Sequence, residues 1–168
     1  MLDLLRTLAV VGLFAAVILA LTPRPHSTGV RVVDYQPALV AVRGVAPFAV
    51  LAPVGLPSGW QATSVRYDEQ GGFPVWHLGF VAPGPVYASL EQSSAPGATF
   101  LARQVPSAVA AGTREIAGAS WTRYQGSGSM ARAYVRVSAR DTVIVTGSAS
   151  WAQLAVLAGS LRSGSLRS

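Results

Sequence analysis

The sequence predicts an α+β fold: an N-terminal transmembrane helix, then one antiparallel sheet of about six to seven strands with two or three helices packed on it. Three observations carry this. Segments of alternating polarity come in two runs, near 60–92 and 113–147, separated by turn-forming residues. The clearest helical periodicity in the domain lies at its C-terminal end. An uncharged apolar run, "TLAVVGLFAAVILAL", stands apart at the N-terminus.

That run is the first element. Residues 7–22 carry no charge, and "TPRP" stops them. At ~1.5 Å per residue the run spans roughly 24 Å, and with Leu2–Arg6 it reaches across a bilayer core of about 30 Å. Small-x-small cleavage sites are poor: Ala20-Leu21-Thr22 would place Pro23 just after the cut. No cysteine follows for a lipid anchor. Residues 1–22 therefore read as a retained anchor and 23–34 as an extended stalk. Residues 35–163 read as the folded domain and 164–168 as a disordered tail. The charges flanking the span are nearly balanced, but a six-residue head stays inside most simply, so the domain is expected on the extracytoplasmic side of the cell membrane.

Within the domain, "DYQPALVAVRGVAP" predicts a short helix, with Asp34 as cap, Pro37 in the first turn and Leu39, Val42 and Val45 as its apolar stripe. The prolines and glycines of 53–59 exclude helix there. Three strands follow, near 60–67, 73–81 and 86–92, joined by "DEQGG" and "APGP". In the second, Trp76, Leu78 and Phe80 share one face, while Val75, His77 and Gly79 share the other, expected to be the solvent side. A short helix near 98–104 precedes a second β group. There "ARAYVRVS" alternates, with Ala133, Val135 and Val137 expected inward and Arg132, Tyr134 and Arg136 outward. The last helix starts at Ser150 and carries Trp151, Leu154, Ala155, Ala158 and Leu161 at helical spacing. Helices are expected on one face of the sheet.

Composition narrows the function. Of 168 residues about 130 remain after the anchor and stalk, enough for one domain with a real core. The absence of cysteine excludes disulfides, thiolate nucleophiles and Cys-based metal sites. All thirteen cationic residues are arginine and asparagine is absent, a codon signature of a GC-rich bacterial genome. The net charge of +6 favours anionic surfaces.

The anchor and stalk, with the blocks "VDYQPALVAVRGVAPFAVLAPVGLPSGWQATSVRY", "WTRYQ" and "GSASWAQLAVLAGSL", resemble an actinobacterial family of single-pass membrane proteins, catalogued as domain of unknown function 4245. The resemblance covers nearly the whole chain and is most specific at "LPSGWQATSVRY". It implies a membrane anchor with an exported domain, and no reaction or site residue.

No chemistry is named by motif. His26 sits in the stalk and His77 is the one domain histidine. The acids Asp68, Glu69, Glu91, Glu115 and Asp141 show no metal-ligand spacing, and neither a nucleophile elbow nor a phosphate-binding glycine loop occurs. No catalytic residue, metal or cofactor is assigned. Above background stands an arginine cluster, Arg114, Arg123, Arg132, Arg136 and Arg140, interleaved with Tyr124 and Tyr134. Arg123, Arg132, Tyr134 and Arg136 form the candidate anionic-binding surface, for lipid headgroups or envelope polymers rather than nucleic acid. The leading expectation is a non-enzymatic, membrane-anchored accessory or binding module of the cell envelope. Its partners are the bilayer, through 7–22, and an envelope protein or anionic polymer. The alternatives are a hydrolase using His77 with a nearby serine or carboxylate, and a lipid or anionic-ligand carrier with a cleft between sheet and helices.

Overall fold

The computed structural model describes residues 31–128 and 132–164, which fall in one compact unit beginning at Arg31. The expected anchor, the stalk up to residue 30 and the tail from 165 onward lie outside the described residues. Among the described residues no helix is long and apolar enough to cross a membrane.

Three helices and nine strands are described. Helix α1 (Gln36–Arg43) has proline in its first turn, and Asp34 accepts a hydrogen bond from the Gln36 amide at 2.9 Å. It buries Leu39 and Val42, but Val45, expected on the same stripe, lies past the helix end and is 69% exposed. Strand β1 (Leu51–Pro53) comes next, then the meander β2 (Gln61–Gln70), β3 (Phe73–Ala82) and β4 (Val86–Ser93). Helix α2 (Gly97–Gln104) leads into β5 (Val109–Ile116), β6 (Ala119–Gln125), β7 (Arg132–Val137) and β8 (Thr142–Gly147). Helix α3 (Trp151–Ser160) and β9 (Leu161–Ser163) finish the described chain. At α3 the Ser150 hydroxyl accepts from the Gln153 amide and the Gln153 side chain accepts from the Ser150 amide, a complete capping box.

The main sheet has seven antiparallel strands in the order β2-β3-β4-β8-β7-β6-β5. Each run of strands is thus a meander, and the two meanders meet where β4 pairs with β8, from Ala88↔Gly147 to Ser93↔Thr142. The pair β1–β9 forms a separate small sheet that alternation alone did not suggest, because each strand has three residues and β1 contains a proline.

Helices cover both faces, contrary to the expectation of one. Trp76, Leu78, Phe80, Leu90, Val143, Val145 and Tyr134 pack with residues of α1, β1 and α3 in one apolar core. Their strand neighbours Val75, Ala133, Val135 and Ile144 point the other way and pack against Phe100 and Val105 of the α2 segment. Two-sided cover explains why strict inward–outward alternation fails on β7. Ala133 and Val135 are buried under α2, while Tyr134, expected outward, is wholly buried beside α3. Val137, expected inward, is 63% exposed.

Buried polar groups tie the segment before β2 to the sheet. The Trp76 indole donates to the Leu51 carbonyl at 3.0 Å. Gln92 Oε1 accepts from the Leu51 amide at 2.9 Å, and its Nε2 donates to the Ala49 carbonyl and to Asp141 at 3.0 and 2.6 Å. These bonds satisfy backbone that would otherwise be buried unpaired.

The central seam has one position with no room for a side chain. Gly147 has φ +149°, and an added Cβ would strike the Tyr87 carbonyl oxygen and come within 2.9 Å of Ala88 Cα. Gly147→Ala should therefore cost roughly 1–3 kcal/mol through backbone strain, more if β4 is pushed away, read as a lowered urea midpoint of unfolding.

Candidate functional site

Two groups of polar side chains stand out, one on each face of the sheet. The first lies where α3 starts against β6 and β7. Arg123 stacks over the Trp151 ring at 4.2 Å and Arg136 over the Trp121 ring at 5.1 Å. Trp151 and Tyr134 meet edge to face with centroids 5.1 Å apart, and Arg114 donates to the Tyr134 hydroxyl at 3.4 Å. Guanidinium and ring therefore alternate across the sheet, with Arg123 and Arg136 each held on a π face. Arg132, from the same strand face, instead reaches the carbonyls of Ser148 and Ala149 at 3.4 and 3.5 Å.

Of the expected anionic surface, Arg123 and Arg136 are half-buried beside aromatic rings, Arg132 is spent on backbone, and Tyr134 is interior. Among the described residues none of these arginines is paired with a carboxylate. The Arg123 Nε and the Trp121 Nε1 are buried donors with no acceptor among the described residues.

The second group lies on the opposite face, over β2, β3 and β4. His77 is 3% exposed rather than solvent-facing as expected, and Glu91, directly across the β3–β4 ladder, is 5% exposed. His77 Nδ1 and Glu91 Oε1 are 2.7 Å apart, and His77 Nε2 lies 2.8 Å from Ser64 Oγ on β2. With Nδ1–H donating to the carboxylate, Nε2 presents a lone pair that accepts from the serine hydroxyl. Ser64 stands opposite Gly79, next to a bulge at Thr63, and reaches His77 diagonally across the missing side chain. A Cβ at Gly79 would collide with Ser64 Oγ and come within 2.8 Å of Tyr87 Oη and 3.2 Å of His77 Nε2. Beneath them the Ser89 hydroxyl, opposite Gly79 on β4, is wholly buried.

Tyr87 completes this group. Burial pushes its phenol above the ordinary 10.0, and the Glu91 carboxylate adds to the rise; the Ser89 and Ser64 hydroxyls and Arg66 oppose it. The phenol is therefore a neutral hydrogen-bond donor at physiological pH.

A third feature is apolar. Between α2 and β6–β7 a half-open cleft of about 450 Å³ is lined by Ala98, Leu101, Val105, Tyr124, Val135 and Val137. Among the described residues no group of three or more His, Asp or Glu side chains is placed to hold a metal ion.

The Ser64–His77–Glu91 constellation was only half legible. The "APGP" turn sets Ala82 opposite Val86, and counting back along the two strands places His77 opposite Glu91. Ser64 had no such signal, because its contact is diagonal and depends on Gly79 having no side chain.

The family model described as protein of unknown function (DUF4245) matches residues 1–161. No curated protein matches the chain.

The raised phenol has a stability consequence with a fixed sign. Folded Tyr87 holds its proton more tightly than the unfolded chain, so its contribution is intact below 10.0 and is lost as pH rises through the folded value. Tyr35, raised by burial and then by Asp34, acts in the same direction. Unfolding midpoints measured from about pH 9 to 11 should fall, and Tyr87→Phe should make that fall shallower.

Proposed function

We propose, for a chain that belongs to the DUF4245 family, the role of an anion-binding module tethered to an actinobacterial cell membrane. Residues 7–22 supply the tether, and the domain works on the extracytoplasmic side. The family match spans the apolar segment as well as the domain, which supports treating the two as one unit. The observation that carries the binding reading is the guanidinium–aromatic ladder of Arg114, Arg123 and Arg136, which has no carboxylate partner among the described residues. A cation already held on a ring loses little freedom on meeting a phosphate. A buried indole N–H and a guanidinium N–H with no acceptor beside it add unspent donors. Phospholipid headgroups and anionic envelope polymers are the ligands this chemistry suits. A second reading, carriage of an apolar ligand, rests on the cleft beneath α2.

Binding and placement are tested separately. The full chain in phosphatidylcholine nanodiscs should bind soluble short-chain phosphatidylglycerol, with affinity falling as salt rises. At about 1 kcal/mol per arginine near an anionic surface, Arg123→Gln with Arg136→Gln should weaken binding roughly 30-fold. Equal affinity in wild type and double variant would remove the ladder from the function. For placement, a phosphatase active only outside the cytoplasm, fused after Ser168, should be active in cells; silence would place the domain inside.

A further inference from the structure

We propose that Ser64 is an activated nucleophile and that the β2–β4 face hydrolyses a carboxylic ester, an activity beyond the anion binding assigned to the other face. Four observations converge on it. The bonds Ser64 Oγ to His77 Nε2 at 2.8 Å and His77 Nδ1 to Glu91 at 2.7 Å form the nucleophile–base–orienter chain that acyl transfer requires. The base and its carboxylate are buried while Ser64 and Tyr87 are only half-buried, so the group runs from the sheet interior towards solvent. Gly79 leaves space for Ser64 Oγ, Tyr87 Oη and His77 Nε2 to meet over one Cα. Ser89, directly opposite Gly79, adds a wholly buried hydroxyl that bears on the Tyr87 phenol.

A purely structural role accounts for less of this. Burying a carboxylate costs several kcal/mol of desolvation, and an apolar pair of similar volume stabilises a sheet at least as well. A bulge placed beside the serine is also the usual device for re-aiming a side chain at a site.

The chemistry balances as follows. The Ser64 hydroxyl proton passes to His77 Nε2 as Oγ bonds the acyl carbon, and the carbonyl π pair moves onto oxygen. The Tyr87 hydroxyl donates to that oxygen. Collapse breaks the bond to the alcohol oxygen, which takes the proton from His77 Nε2. Water then repeats the sequence on the acyl-serine, releasing the acid and restoring Ser64. His77 is the base and Tyr87 the donor; Glu91 is a positioning residue that holds the imidazole in its Nδ1–H form.

The test is covalent labelling of the full chain with a fluorophosphonate probe, which loses fluoride as it phosphonylates an activated serine. Peptide mass spectrometry should place the adduct on Ser64, and Ser64→Ala, which removes one half-buried hydroxyl, should abolish it while melting near the wild-type temperature. Glu91→Gln should slow labelling at least tenfold and Glu91→Asp should recover part of the rate, a pattern that loss of packing would not produce. Wild type should also hydrolyse p-nitrophenyl acetate faster than Ser64→Ala. Folded wild type that leaves Ser64 unlabelled beside a serine hydrolase that labels fully would overturn the proposal, as would equal labelling of wild type and Ser64→Ala. Neither result bears on phosphatidylglycerol binding at the opposite face.

Discussion

The antiparallel pairing of β4 with β8 holds the molecule together. These two strands are the most completely buried in the sheet: all of β8 and six of the eight residues of β4 are buried. They are brought together from distant parts of the chain, so their ladder closes a long loop and must be repaid by burial on both faces. The repayment comes from Leu90, Val143 and Val145 under α3 and from Ile144 under the α2 segment. Without that seam there would be two three- and four-stranded meanders, each with an unpaired edge and a half-covered face.

Both candidate sites follow from the seam. On one face α3, following directly from β8, sets Trp151 against Tyr134 and beneath Arg123. On the other, β4 carries Glu91 into the sheet interior, where a lone histidine becomes a buried, hydrogen-bonded one. The arginines are rigid because they lie on rings, and the histidine is oriented because its partner sits directly across a ladder. In each case the fold immobilises the group before a ligand arrives, which is the condition for a small surface to bind or react selectively.

Helices on both faces also explain a mixture of success and failure in the inference from pattern. On β3 the apolar face of Trp76, Leu78 and Phe80 was legible, but the other face, with His77 and Val75, is buried as well instead of solvent-facing. β7 was not, because its tyrosine is as buried as its valine and both faces therefore count as inside. The small β1–β9 pair left no periodic trace, since three residues are too few to show a period. The ladder of arginines was visible as composition, but the aromatic partners that hold Arg123 and Arg136 come from separate elements, β6 and α3.

The sequence by itself determined what is local or compositional: an uncharged apolar run at 7–22, the turns at 71–72 and 83–85, the Ser150 cap, the last helix, and a domain without thiol or metal-ligand spacing. Its family was legible from whole blocks of residues. Only the tertiary structure decided that two meanders join at β4–β8, that both faces are covered, and that Ser64 crosses Gly79 to reach His77. Those are long-range and diagonal contacts. They depend on which strands become neighbours and on space left by an absent side chain, and neither quantity is written in the periodicity of any one segment.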